Sequence, residues 1–194
     1  FMPNFQINGW SNDWFGGYPL YYFYFPLPAI ITFFLNLIFP FGIAFKIMVV
    51  LSIILVVYSI EKLMRKTSNQ ISIYGATAGL FYVFTESFTI YGGNLASTLA
   101  GQFSFGYSLA FANLSIFYLL KSNNNFRFPI SSIFLALCLL SHLIPFIIYS
   151  PIYAFYWLSR KQNFNQKILS ISIFLALVSP VSYTHLRAHE TCVH

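Results

Sequence analysis

Acidic residues are scarce in this chain, and one of them, Asp13, stands in a loop of tryptophans, tyrosines and glycines. Residues 10–20 read Trp-Ser-Asn-Asp-Trp-Phe-Gly-Gly-Tyr-Pro-Leu, and the other acids are Glu61, Glu86 and Glu190. Because Trp and Tyr combine an apolar body with a polar edge, such a loop is expected to lie against membrane headgroups. Asp13 would then be reachable from water and from lipid headgroups. The alternative is an aromatic anchor whose acid is only solvated.

Glu86 is the second acid that could take part in chemistry. The apolar segment 71–91 predicts a membrane helix. At about 1.5 Å per residue, Glu86 would lie roughly 7 Å inside the outer end of that helix. An ionised carboxylate at that depth is costly unless it faces protein or water, so an acid there is a functional-site candidate. The alternative is a neutral or hydrogen-bonded structural acid close to the surface.

His142 lies within residues 129–158, an apolar stretch too long for one ordinary span and short for two. If Arg127 and Arg160 lie on the same side, the chain must go in and come back. The break would precede Pro145, with His142 at the tip of a hairpin. There His142 would donate to a carbonyl freed by Pro145, or act as a proton acceptor or phosphate ligand. The rival topology is one long tilted helix.

The composition predicts a polytopic protein of the cell membrane: 58% of residues are hydrophobic and 7% charged, and the mean hydropathy is +0.69. Soluble domains have roughly 25% charged residues. A net charge of +6 would suit a nucleic-acid partner only if the basic residues shared one solvent face. Here they lie in short joints between apolar runs, as in cytoplasmic loops: Lys62, Arg65, Lys66, Lys121, Arg127, Arg160, Lys161 and Lys167. This pattern excludes a nucleic-acid partner and places the aromatic loop, residues 1–27, on the extracytoplasmic side.

The apolar runs divide residues 28–181 into about five or six membrane segments, and the predicted fold class is an all-α helical bundle. The first run, Pro26 to Pro40, would reach roughly 18 Å, too short for a hydrocarbon core of roughly 30 Å. It is expected to lie in the interface or to dip partway in. Longer runs cover residues 41–60, 71–91 and 103–120, and another begins at residue 168.

Local motifs predict several details of packing. Gly75 and Gly79 have the spacing that lets another helix approach closely. Residues 92–102 form a second outer loop with a short helix capped by Asn94 and ended at Gly101, and the two outer loops could meet across a shared cavity. Asn113 begins a glycosylation sequon, which is discarded because it lies inside a predicted span.

The ends of the chain stand apart from this pattern. The chain begins within a loop, without a signal peptide, and is expected to be a fragment whose first membrane helix precedes residue 1. Residues 182–194 break the apolar pattern and hold three of the four histidines. The spacing would suit a set of zinc ligands: His185, His189, Cys192 and His194. The stretch instead resembles a translated adapter or a misassembled end, and we expect an artefactual tail without metal.

Three stretches carry a family resemblance. Asp13-Trp14, with residues 16–20 and 24–28, resembles the first outer loop of the prokaryotic membrane proteins labelled "6-pyruvoyl-tetrahydropterin synthase-related". Residues 93–105 and 140–142 look like two further stretches of that family, and the likeness covers roughly residues 10–180. The family is similar to the GT-C membrane glycosyltransferases. Its label does not describe the chemistry, because pterin synthases are soluble and hold zinc with three histidines.

The resemblance implies a multi-helix membrane core whose outer loops bind a polyprenyl-phosphate-linked sugar, without a cofactor. An acid of the first outer loop would deprotonate or orient an acceptor hydroxyl. Asp13 occupies that place, standing alone where many relatives carry adjacent or alternating acids, and Glu86 would assist or belong to the donor site. The candidate substrate-binding residues are Trp14, Tyr18, Asn94, Gln102 and His142.

Two other functions remain open at this point. A carrier or flippase of lipid-linked material would use broken helices and a polar site at the midplane, and the break at His142 is of that kind. A structural membrane subunit would need only the packing face of Gly75 and Gly79.

The expectation about the tail can be tested with a synthetic peptide spanning residues 183–194. We expect no specific tight zinc binding in a calorimetric titration. A defined stoichiometry at high affinity would instead establish these histidines as a metal site.

Overall fold

A computed structural model describes residues 9–11, 17–20, 26–65, 72–86, 92–121 and 127–191 of the chain. The architecture is helical apart from one small hairpin, in which β1 (Gly9–Ser11) pairs antiparallel with β2 (Tyr18–Leu20). The helices are α1 (Leu27–Asn36), α2 (Phe41–Arg65), α3 (Ser72–Val83), α4 (Leu95–Ser97), α5 (Phe103–Leu120), α6 (Arg127–Ser141), α7 (Leu143–Ser159) and α8 (Phe164–Thr191).

Prolines set the boundaries of the first two helices. Pro28 lies in the first turn of α1, where a missing N–H costs nothing, and α1 is as short as predicted. Pro40 separates the helices and begins α2, because its carbonyl accepts from the N–H groups of Ile43 and Ala44. Helix α2 then runs without interruption to Arg65, where Arg65 and Glu61 form the predicted ion pair at 2.5 Å.

Helix α3 packs against α2 through the predicted glycine pair. A Cβ atom on Gly75 would stand 3.0 Å from the Cα of Glu61, and one on Gly79 would stand 3.0 Å from the Cα of Val57. Both neighbours are backbone atoms, so the two helices touch main chain to main chain. The pairing also shows that α3 runs antiparallel to α2.

Helix α5 lies at the centre of the bundle and has the predicted bounds. Its Tyr107 hydroxyl donates to the carbonyl of Met48 at 2.7 Å, and its Asn113 amide donates to the Ser59 hydroxyl at 3.2 Å. Because residue numbers rise together in both contacts, α5 runs parallel to α2. A five-residue π-turn (Thr98–Gln102) joins α4 to α5, with Gly101 at a φ of 107°.

Helices α6 and α7 form the predicted hairpin. The Tyr153 hydroxyl lies 2.8 Å from the Ser131 hydroxyl and 3.0 Å from that of Ser132. In one continuous helix, residues 132 and 153 would be about 32 Å apart at 1.5 Å per residue. The chain therefore turns back at His142, and the alternative of a single long helix is wrong. Arg160, at the end of α7, donates to the Leu120 carbonyl at the end of α5.

Helix α8 covers the outside of this hairpin. The Ser170 hydroxyl bonds that of Ser132 on α6 and accepts from the Trp157 indole on α7 at 3.3 Å. The backbone of α8 continues as helix to Thr191, through most of the tail whose sequence breaks the apolar pattern. Nothing in the described side chains bears on the origin of that tail.

The bundle places polar side chains inside and large apolar side chains outside. Buried hydroxyls and amides include Ser52, Ser59, Ser108, Asn113, Ser131, Ser132 and Ser170. Exposed apolar residues line α2, α3, α7 and α8, such as Phe81 (73% exposed) and Phe155 (68% exposed). Within the described ranges, two helical runs are long and apolar enough to cross a membrane: Phe41–Arg65 and Leu95–Leu120.

The α2–α3 contact gives a test with a matched control. Gly79→Ala should lower stability by about 1–3 kcal/mol, because the new methyl group meets the Val57 backbone and α3 must move away. Gly42→Ala should be neutral or stabilising by about 0.5–1 kcal/mol, since nothing lies within 4 Å of its Cβ position. Thermal unfolding of both variants in detergent measures the difference, and equal effects would contradict the close approach.

Candidate functional site

Four of the predicted site residues lie at one end of the bundle, here called the loop end. It comprises Thr85 and Glu86 after α3, residues 92–102, and His142 at the hairpin tip. The Phe105 and His142 rings are 5.5 Å apart, which brings the tip to the start of α5. The Asn94 amide donates to the Thr85 carbonyl at 2.9 Å, which brings the end of α3 to the same place.

The opposite end, here called the basic end, collects the described positive charges of the joints. It comprises the last turn of α2 with Lys62 and Arg65, Lys121 after α5, Arg160 and Lys161 after α7, and Lys167 in α8. Because Asn113 of α5 bonds Ser59 of the parallel helix α2, the two helices end at a similar level, and Arg160 donates to the Leu120 carbonyl there. The predicted separation between candidate site and basic joints is therefore present among the described residues.

Asn94 organises the loop end. Its Oδ1 accepts from the Ser97 N–H at 2.8 Å and from the Ser97 hydroxyl at 2.6 Å, which caps α4 as predicted. Its Nδ2 donates to the Thr85 carbonyl, and the side chain is buried with 4% exposure. Both ends of the amide are engaged within the protein, so the structure gives Asn94 a positioning task. Substrate binding by Asn94 stays a prediction.

Glycine turns let the loop end close tightly. Gly92 and Gly93 have φ values of 83° and 86°, in the left-handed region. A Cβ on Gly92 would meet the Phe105 ring at 2.5 Å, and one on Gly93 would meet the Tyr82 hydroxyl at 2.5 Å. Side chains at these positions would be strained both by conformation and by space.

Glu86 and Gln102 are the exposed members of the site. We expected Glu86 within a helix reaching Tyr91, but α3 ends at Val83 and Glu86 lies three residues beyond it. The Thr85 carbonyl, just beyond the end of α3, accepts from the Asn94 amide, which ties this end to the second outer loop. Gln102 closes the π-turn beside Gly101 and is exposed.

His142 caps α7. Its Nδ1 accepts from the N–H of Ile144 at 3.2 Å. Donation from the ring to a carbonyl freed by Pro145 stays a prediction. Its own carbonyl accepts from the Ser108 hydroxyl at 2.9 Å. Burial lowers the pKa of His142 below its ordinary value. Since a protonated Nδ1 cannot accept, the cap requires the neutral ring.

The first outer loop lies largely outside the described residues. Asp13 and Trp14 belong to residues 12–16, which join β1 to β2 in sequence, and their candidate roles stay predictions. Tyr18 is described by its backbone only, as the first residue of β2, opposite Ser11. The proposed cavity between the two outer loops likewise falls on residues outside the described part.

Sequence reasoning missed two aromatic residues of the loop end. Tyr82, 37% exposed, donates to the Gly92 carbonyl at 3.4 Å, and Phe105 lies between Gly92 and His142. Each looks like one more apolar residue of a membrane helix, so only the glycine pair beside them could have signalled a close contact.

Comparison with known proteins gives no match: no family model, no curated protein and no solved structure resembles the chain at a significant level. The site must therefore be interpreted from its own geometry and from the sequence resemblance.

The His142 cap predicts a pH-dependent loss of stability. As the pH falls below about 6.5, the unfolded chain binds a proton at His142 before the folded chain does, so folding becomes less favourable. His142→Asn should keep the cap without titrating, whereas His142→Ala should lose about 0.5–2 kcal/mol at neutral pH and progressively less toward acid pH, where protonation removes the cap from the parent chain as well. The difference in melting temperature between the chain and its His142→Asn variant should grow toward acid pH. A constant difference would rule out this cap.

Proposed function

We propose that this chain is a multi-pass integral membrane protein. Exposed apolar side chains outside and buried serines inside are what a bilayer requires, because hydrogen bonds between helices are made where no water competes. Helix α2 supports this placement most directly: only 28% of its most apolar window is buried inside the protein. A water-soluble core helix would hide that surface.

The charge distribution supports one orientation in the membrane. Among the side chains that the structure describes, six basic residues and one acid, Glu61, lie at the basic end, whereas Lys46 and Glu86 lie toward the loop end. The positive-inside rule assigns the basic end to the cytoplasm, and the loop end is then extracytoplasmic.

We further propose that the loop end transfers a sugar from a polyprenyl-phosphate donor, as the GT-C resemblance implies. The observation that carries this is the meeting of Glu86, Asn94, Gln102 and His142 at one end, opposite the basic end. A lipid-linked donor has its reactive carbon at the membrane surface, which is the level of this end. The hydrogen bonds of Asn94 would hold the backbone of the loop end in place, and Glu86 and Gln102 would face the substrate.

The chemistry asked of the site is modest. An acceptor hydroxyl attacks the anomeric carbon of the sugar, a new glycosidic bond forms, and the bond to the polyprenyl phosphate breaks. The hydroxyl proton passes to a carboxylate, for which Asp13 is the candidate and Glu86 the assisting acid. Such general base catalysis contributes about 10²–10⁴ in rate.

Sugar transfer in proteoliposomes tests this assignment. With a polyprenyl-phosphate sugar and a test acceptor, Asp13→Asn should lower the rate by about 10²–10⁴ and Glu86→Gln by a smaller factor. Glu61→Gln is the matched control, because this acid pairs with Arg65 at the other end and should leave the rate unchanged. Full activity in both site variants would refute the roles given to them.

One observation favours a second function, a carrier of lipid-linked material. The helix break at His142 is real, and the hairpin is held by side-chain hydrogen bonds that a moving element could exchange. Scrambling of a labelled polyprenyl lipid without product formation would establish the carrier instead. The face of Gly75 and Gly79 is covered by α2 of the same chain, so this face does not favour the structural subunit over the other two functions.

A further inference from the structure

Three lysines at the basic end share one arrangement, an ammonium group placed over an aromatic ring. The Lys62 ammonium lies 5.1 Å from the centre of the Tyr58 ring, Lys121 lies 5.3 Å from that of Phe117, and Lys167 lies 5.1 Å from that of Trp157. These distances are within the range of cation–π attraction. The three pairs belong to different helices, α2, α5 with its following turn, and α7 with α8, yet they occur at the same end.

An ammonium group above an aromatic ring marks the level of a membrane surface. The lysine stem can lie along apolar surface while its charge reaches the headgroups, and Trp and Tyr prefer that same level. Tyr58 is 47% exposed and Trp157 is partly exposed, so these two rings also reach the outside of the bundle. The pairs hold the lysines near that level instead of leaving them to extend freely.

The charge balance selects the kind of lipid. Lys62, Lys121 and Lys167 are accompanied by Arg65, Arg160 and Lys161, and the one acid, Glu61, is paired with Arg65. The side chains described at the basic end thus carry six positive charges against one negative. Zwitterionic headgroups offer no net charge to balance this excess, whereas anionic phospholipids do.

We propose that the basic end is a collar that binds the phosphate headgroups of anionic phospholipids, with Lys62, Lys121 and Lys167 as its principal contacts. The collar rests on the membrane placement proposed above but not on sugar transfer. It would give this face a lipid requirement separate from any substrate at the loop end.

Trp157 supplies a local reporter for the test. With Trp10→Phe and Trp14→Phe, Trp157 is the remaining tryptophan of the chain. Quenching of its fluorescence by brominated phosphatidylglycerol or brominated phosphatidylcholine in proteoliposomes gives the relative affinity for the two lipids. We expect a preference for phosphatidylglycerol of about fivefold or more, since one basic residue near an anionic surface contributes on the order of 1 kcal/mol.

The variants separate the collar from charge in general. Joint replacement by Lys62→Gln, Lys121→Gln and Lys167→Gln should bring the preference close to one, and the three corresponding Lys→Arg changes should keep it. Lys46→Gln is the matched control, because it removes one lysine near the other end of α2 and should leave the preference unchanged. No preference in the parent protein, or full preference in the triple glutamine variant, would overturn the proposal.

Two further measurements complete the test. The first distinguishes binding of lipid headgroups from binding of free phosphate, and the second distinguishes failure of the collar from failure of the membrane placement. Inorganic phosphate should reduce the preference no more than chloride at equal ionic strength, and a specific loss would mean a discrete phosphate site instead of the collar. Resistance to alkaline extraction reports insertion. Failure to insert in either lipid overturns both the membrane placement and the collar, whereas insertion with equal affinities overturns the collar alone.

Discussion

The rest of the bundle depends on the amide of Asn113, at the centre of α5. Its Nδ2 donates to the Ser59 hydroxyl on α2, and its Oδ1 accepts from the Tyr149 hydroxyl on α7 at 2.9 Å. The side chain is 4% exposed, so an unpaired amide there would carry a high desolvation cost. One residue thus fixes the register of three helices. Interhelical hydrogen bonds of this kind contribute about 1 kcal/mol each in membranes, and their directionality adds specificity that apolar packing between similar helices lacks.

The same logic extends outward from α5. Ser108 bonds the Cys138 and His142 carbonyls near the hairpin tip, and Tyr153 bonds the serines of α6 closer to the basic end. Between α2 and α3 the residues are small instead, and Gly75 and Gly79 bring the two backbones together where larger residues would hold them apart. The bundle is therefore held by short polar bridges and close backbone contact. Its large apolar side chains are left to face the surroundings, and this distribution of surfaces is the basis for placing the chain in a bilayer.

The two ends of the bundle differ in the side chains that they expose. At the loop end, glycines and Asn94 fold the backbone tightly, so that Glu86 and Gln102 stand exposed beside a rigid frame. At the basic end, lysines lie over aromatic rings and Arg160 ties the end of α7 to that of α5. Such a division is what a membrane protein with chemistry on one side and anchoring on the other would need. The fold alone does not choose between transfer and transport, because both functions occur on helical membrane cores.

The sequence by itself determined the start of α2, the bounds of α5, the cap at Asn94, the glycine contact and the ion pair of Glu61 with Arg65. Each of these depends on residues close together in the chain, such as a proline, a capping amide or a pair four residues apart. Tertiary structure decided what depends on distant partners. Asn113 was recognised only as a discarded sequon, because Ser59 and Tyr149 are far away in sequence. The contact between the end of α3 and the second outer loop joins Thr85 to Asn94, and the hairpin of α6 and α7 joins Ser131 to Tyr153. Apolar periodicity predicts that a helix is buried on one side, but it does not predict which helix packs against that side.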